Sequence, residues 1–138
     1  MITKITQRRG QAQIEFLLVI VMFLMTIMGT FEICRLFLSF TTLANASRVG
    51  VRYATTHGSS NDSSDYVAAS TDVEQVVRDY AAGSMINRDQ MTVTTTWLAG
   101  TKNPGDLIRV RVQYPYQPFI LLPMQTNLAT QTEGIITF

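Results

Sequence analysis

The chain has 138 residues, a formal net charge of +1, one cysteine and one histidine. A single cysteine excludes an internal disulfide, and one cysteine with one histidine cannot supply a structural zinc site. The net charge indicates no partner, but the charges are unevenly distributed. None falls within residues 16–31, Lys4, Arg8 and Arg9 precede this run, and most of the others follow it. The sequence is therefore divided into an apolar N-terminal segment and a polar remainder.

Residues 14–34 are predicted to form one membrane-spanning helix, because apolar residues extend the uncharged run at both ends to the length that a bilayer requires. Glu32 and Arg35 lie three residues apart and are expected to pair at the membrane surface. A removable secretory signal is the alternative, but the nearest small-x-small site, Ala44-Asn45-Ala46, comes too late. A buried core helix is less consistent still, because the remainder is too small and polar to enclose a helix that is apolar all round.

The basic residues Lys4, Arg8 and Arg9 predict the orientation of this helix. By the positive-inside rule they hold the N-terminus in the cytoplasm. We therefore expect a single-pass protein of the inner (cytoplasmic) membrane, in contact with its lipid, whose C-terminal part lies outside the cytoplasm.

The helical pattern continues beyond the membrane, giving one helix from about Ala12 to about Thr56. Its apolar positions step by four and three residues, as in a heptad pattern, through Ile33, Phe37, Phe40, Ala44, Ser47, Val51 and Ala54. This stripe is predicted to pack on the chain's own C-terminal domain, or on helices of other subunits. Cys34 is predicted to be a small buried hydrophobe. The sequence "HGSSNDSSD" then indicates a loop.

The C-terminal half predicts a small α+β domain. Residues 70–84 form a short helix with a Thr71–Glu74 capping box. Two alternating segments, "MTVTTTWLA" and "LIRVRVQY", form an antiparallel hairpin around the turn "NPGD", and its apolar face rests on the long helix. The segment "QPFILLPM" covers the remaining apolar surface or enters the membrane interface, and "GIITF" adds an edge strand. The expected fold is α+β, with an N-terminal basic segment at 1–10, a long helix at 11–57 and a small domain at 58–138.

The start of the chain, "RRGQAQIEFLLVI", resembles the processing site of type IV prepilins. The resemblance implies a pilin-like fold. It also implies that a prepilin peptidase cuts between Gly10 and Gln11 and removes the basic leader, residues 1–10. Glu15 and Phe16 then become the fifth and sixth residues of the mature chain. In this family the glutamate pairs with the new α-amino group, usually that of a neighbouring subunit. The alternative is that Glu15 only marks the membrane edge and reaches the headgroups.

A narrower resemblance is to the TadE-like family of the tight-adherence (Tad, Flp-type) system. It is carried by the basic-Gly-Gln-Ala start, by Glu32 and Arg35 near the end of the apolar run, and by the sequence "ASRVGVRYA" at residues 46–54. The resemblance implies a minor pilin, or pseudopilin, that assembles with other pilin subunits and contributes to pilus biogenesis and surface adhesion.

An enzyme is not indicated. Cys34 and His57 would be about 35 Å apart on one helix, no glycine-rich phosphate loop is present, and Asp62 and Asp65 miss the EF-hand spacing. We therefore expect no catalytic residue, cofactor or metal ion. Arg109 and Arg111 lie on a strand face without interleaved aromatics, so nucleic acid is not an expected partner. The remaining alternative to a pilus subunit is an uncleaved, membrane-anchored extracytoplasmic binding domain.

Overall fold

The computed structural model describes residues 3–58, 69–84, 86–99, 102–119 and 126–137, with the backbone alone for residues 3–9. The predicted loop that contains Asp62 and Asp65, and most of the "QPFILLPM" segment, lie outside these residues. The chain forms a long helix, a short helix, a 3-10 turn and three strands. These elements confirm the α+β architecture predicted from the sequence.

Helix α1 spans Thr3–His57, 55 residues without a proline, and is about 80 Å long. It begins earlier than the predicted Ala12, since nothing in the leader stops a helix. The part from Gly10 onward is long and apolar enough to cross a membrane, and its apolar window is not buried by the rest of the described chain. The large side chains from Ile14 to Met25 are all exposed. Such a surface is unsuited to water and suited to lipid.

Helix α2 spans Ser70–Ala81 and buries Val73, Val77 and Ala81. The predicted Thr71–Glu74 capping box is wrong, because the N-cap residue is Ala69. The helix is preceded by Ala69, whose N–H donates to the Asp72 carboxylate at 3.0 Å. The aspartate therefore satisfies an amide at the helix start and places negative charge at the positive end of the dipole.

The sheet contains β1 (Thr92–Trp97), β2 (Leu107–Tyr116) and β3 (Thr126–Ile135), in the order β1-β2-β3, with both pairs antiparallel. A 3-10 turn, Arg88–Gln90, leads into β1. The predicted hairpin and its turn are confirmed, with Gly105 at a positive φ of 97°. Pro115 in β2 lies beyond the end of β1, so its missing N–H costs no hydrogen bond on that side.

Strand β3 corrects the prediction for the C-terminus. The sequence pattern placed an edge strand in "GIITF", whereas β3 begins eight residues earlier, at Thr126, and includes only the first two residues of that segment. Its alternation is weak because threonines occupy the inner face. One of them, Thr132, shares a hydrogen bond of 2.7 Å with the buried Ser47 of α1. A polar residue on an inner face of this kind leaves little hydrophobic signal in the sequence.

The face of α1 that meets the domain also differs from the predicted stripe. Ser47, Val51 and Ala54 are buried as expected, but Ile33, Phe37 and Phe40 are exposed. The domain instead covers a line of half-buried and buried positions, namely Glu32, Arg35, Ser39, Leu43, Ala46, Gly50 and Ala54. Successive positions on that line are three, four, four, three, four and four residues apart, an 11-residue spacing, so the line runs beside the apolar stripe and meets it at Ala54. Cys34, predicted to be buried, is exposed.

The core lies between α1, α2 and the inner face of the sheet. Val110 and Val112 of β2 are fully buried against Val73 and Val77 of α2, in one cluster with Ala46 of α1. Small residues on α1 allow this close packing. A Cβ added to Gly50 would clash with a methyl group of Val77, whose buried side chain has little room to move.

The substitution Gly50→Ala is therefore expected to destabilise the domain. Overpacking a closed core costs about 1–3 kcal/mol, whereas the gain in helix propensity is at most about 1 kcal/mol. Chemical unfolding of the full chain in detergent micelles measures the difference. Gly83→Ala is the matched control, because its added Cβ meets nothing closer than a carbonyl oxygen at 3.9 Å. Equal stability of the two variants would contradict the close helix packing.

Candidate functional site

The residues predicted for processing and assembly lie together at the N-terminal end of α1. Gly10, Gln11, Glu15 and Phe16 are all exposed, and a Cβ at Gly10 would meet no other atom within 4 Å. Lys4, Arg8 and Arg9 belong to the same helix by backbone, while their side chains lie outside the described part of the structure. The described soluble domain leaves this end of the helix uncovered.

Gln11 and Glu15 occupy successive turns of α1. The Gln11 side-chain amide donates to the Glu15 carboxylate at 3.5 Å, the upper limit for a hydrogen bond. The contact is weak and both side chains are exposed. The Glu15 carboxylate can therefore accept a hydrogen bond from a stronger donor. The backbone nitrogen of Gln11 lies only one helical turn away.

A second polar cluster lies where the soluble domain meets the apolar half of α1. The Tyr116 hydroxyl, at the end of β2, donates to one carboxylate oxygen of Glu32 at 2.5 Å. The backbone N–H of Phe119 donates to the other oxygen at 3.3 Å. Tyr116 is only 2% exposed. We call these three residues, together with Arg35, the boundary cluster.

Arg35 completes the boundary cluster through the tyrosine ring. Its guanidinium carbon lies 5.4 Å from the centre of the Tyr116 ring, within the range of a cation–π contact. The predicted Glu32–Arg35 ion pair is wrong, because Glu32 takes its hydrogen bonds from the domain instead. Glu32 therefore contacts the hydroxyl group of Tyr116, and Arg35 contacts the face of its ring.

Burial and the hydrogen bond to Glu32 raise the pKa of Tyr116 to about 12, despite the opposing effect of the Arg35 charge. The neutral hydroxyl, which can donate, is the favoured form. Since the pKa in the folded chain lies above the ordinary value near 10, the stabilisation is complete below about pH 10. It is lost as the pH rises through about 12. The Tyr116 hydroxyl therefore keeps its proton throughout the physiological range.

The sequence contained a signal for Tyr116 that a longer reading of the strand would have detected. The buried positions of β2 alternate, and the predicted alternation stopped at Tyr114. Its next member is Tyr116, which predicts an inward side chain. The identity of its partner, 84 positions away in the chain, depends on the tertiary fold.

The residues considered for chemistry are dispersed. His57 stacks on Tyr53 at a ring distance of 4.5 Å at the end of α1, far from Cys34. Arg109 forms an ion pair of 2.7 Å with Glu133 across the β2–β3 ladder. Among the described residues there is no group of three or more histidine, cysteine or acidic side chains placed to hold a metal ion.

The substitution Tyr116→Phe is expected to lower the free energy of unfolding by about 1–3 kcal/mol. It removes a hydrogen bond to a charged group and leaves one Glu32 oxygen without its donor. Thermal unfolding in micelles measures the effect, with Tyr80→Phe as control, because Tyr80 is 46% exposed. If the two variants unfold alike, the boundary cluster contributes nothing to stability.

Comparison with protein families gives a match to the TadE-like protein family over residues 10–52. The matched segment begins at Gly10 and includes Glu15, Glu32 and Arg35, and it ends within the "ASRVGVRYA" sequence. No curated protein and no solved structure matches the chain significantly.

The matched residues lie on α1, and they comprise the exposed N-terminal end, the two charged residues of the boundary cluster and the small residues that pack on the domain. The family match confirms the resemblance indicated by the sequence: over residues 10–52, the chain is similar to TadE-like proteins.

Proposed function

We propose that this protein is a minor pilin, or pseudopilin, of a Tad (Flp-type) pilus machine, cleaved after Gly10 and assembled through α1. The observation that carries the proposal is the family match over residues 10–52 of a helix whose apolar half is fully exposed. A helix of this kind anchors the chain in the membrane before assembly and offers an apolar surface to neighbouring subunits afterwards. Pilus biogenesis and surface adhesion are the processes that it serves.

The geometry of the N-terminal end supports processing at this point. Cleavage between Gly10 and Gln11 removes Lys4, Arg8 and Arg9 and creates an α-amino group on Gln11. A positive charge is then placed one turn from Glu15, either in the same chain or in an adjoining helix of the same register. Few charged groups are tolerated in an apolar setting without a partner, so the pair sets the register between neighbouring helices.

The membrane topology of the proposal places the leader in the cytoplasm and the soluble domain on the extracytoplasmic side. The partners are a prepilin peptidase, other pilin subunits and the lipid of the inner membrane. Gly29 in the middle of the apolar half supports close helix contact, because a Cβ there would meet no atom of the chain itself. The alternative, an uncleaved anchored binding domain, requires the leader to persist.

Processing is expected to give a mature chain that starts at Gln11. Expression with the prepilin peptidase of a Tad system, followed by N-terminal sequencing and intact mass, measures it. Gly10→Val is expected to abolish the cleaved product, and because position 10 is open, the loss would not reflect misfolding. Thr26→Val, an exposed position on the same helix, is the control. Wild-type filaments that retain the leader would overturn the proposal in favour of the uncleaved anchor.

Glu15 is expected to act in assembly and not in cleavage. Glu15→Gln should be cleaved normally but enter filaments at about a tenth of the wild-type level, a loss of about 1.4 kcal/mol. Quantitative immunoblotting of sheared filaments against the membrane fraction measures the ratio. Gln13→Ala, exposed and close by, is the control. Unchanged incorporation of Glu15→Gln would reduce Glu15 to a marker of the membrane edge.

A further inference from the structure

An apolar strip on the outer half of α1 faces away from the soluble domain. Ile33, Phe37 and Phe40, which we call the outer strip, are 71%, 65% and 44% exposed. Phe119, next to the boundary cluster, is 83% exposed. These four large side chains lie at the level of the domain's lower end, on the helix that carries the membrane span. A polar, solvated surface would be expected at this level if the membrane ended at residue 34.

We propose that the lower end of the soluble domain, residues 116–119, is immersed in the extracytoplasmic membrane interface, with Phe119 and the outer strip in contact with lipid. The inference rests on the membrane anchorage of α1 and is independent of processing and pilus assembly. It assigns a lipid-binding surface to the domain itself, beyond the spanning helix.

The length of the apolar surface supports this assignment. Exposed large hydrophobic residues continue along α1 from Ile14 to Phe40, a distance of about 40 Å. The hydrocarbon core of a bilayer is about 30 Å thick, and about 40–45 Å with its interfacial layers. With Glu15 at the cytoplasmic edge of the core, Glu32 lies about 25 Å along the axis, inside the opposite edge. Phe40 then lies about 37 Å along, at the outer limit of the headgroup layer.

The boundary cluster explains how two charged residues are tolerated at that depth. The Glu32 carboxylate has a donor on each oxygen, from Tyr116 and from the Phe119 backbone. Arg35 has the Tyr116 ring. Charged groups near hydrocarbon are tolerated when they are paired within the protein or reach the interface. Tyrosine and arginine are also suited to the interfacial layer, where an apolar body meets a polar tip.

A groove between α1 and the lower end of the domain offers a seat for a lipid chain. It has a volume of about 640 Å³, and its lining includes the apolar residues Phe31, Leu38, Ile86 and Phe119 together with the charged Glu32 and Arg35 of the boundary cluster. Most of its exposed surface is apolar, which suits methylene groups. The groove joins the exposed apolar surface of the spanning helix, so an acyl chain reaches it without crossing water.

A nitroxide at position 119 tests the proposal in the full-length chain. Phe119→Cys is prepared in a Cys34→Ala background, spin-labelled and reconstituted at low density in phosphatidylethanolamine–phosphatidylglycerol vesicles. Collisions with oxygen, which concentrates in lipid, are compared with collisions with a water-soluble nickel chelate. Met25→Cys reports the mid-membrane, since Met25 is 71% exposed, and Asn45→Cys reports exposed helix about 45 Å from Glu15.

The label at position 119 is expected to favour oxygen over nickel several-fold, as at position 25, whereas the label at position 45 favours nickel. A nickel accessibility at position 119 equal to that at position 45 would overturn the proposal. So would protection that arises only when the protein-to-lipid ratio is raised, because the occupant would then be a second copy of the chain. Vesicle flotation separates both results from a failure of anchorage, in which the protein would not float with lipid.

Discussion

The hydrogen bonds that the domain donates to Glu32 are the interaction on which this structure depends most. A carboxylate near the end of an apolar helix is costly unless donors compensate for lost water. Tyr116, the last residue of β2, and the backbone of Phe119, just after it, supply those donors. The end of the sheet is therefore attached to α1 at one defined height. The strand register fixes the rest of the sheet relative to Tyr116. The attachment at Glu32 therefore determines the position of the domain along the helix.

Large exposed side chains continue along α1 as far as Phe40, and from Ala46 onward the helix buries small residues. Ala46, Ser47, Gly50 and Ala54 allow α2 and the sheet to approach closely, and Ser47 uses its hydroxyl to bind Thr132. The lower half of the helix thus exposes an apolar surface that suits lipid, and the upper half packs small residues into a protein core. The TadE-like segment covers both parts and the junction between them.

Periodicity alone was sufficient to predict the long helix, the short helix and the β1–β2 hairpin, because each element has a clear pattern of apolar residues. It failed where apolar character did not coincide with burial. Ile33, Phe37 and Phe40 continue a good heptad pattern, yet the domain covers the neighbouring line that starts with Glu32 and Arg35. A sequence pattern gives the apolar face of a helix but cannot distinguish lipid from protein as the cover. Strand β3 was misplaced for the opposite reason, since its inner face is rich in threonine.

The most direct test of the central claim is amide hydrogen exchange along α1 in the full-length protein in lipid vesicles. One continuous helix, fixed to the domain at Glu32, predicts unbroken protection from Ile14 to Ala54, with the Phe119 amide protected as well. Tyr116→Phe should then speed exchange at Phe119 while Tyr80→Phe leaves it unchanged. Rapid exchange across residues 33–41 in the wild-type chain would contradict the account, because a flexible segment would then connect the domain to the membrane-spanning part of the helix.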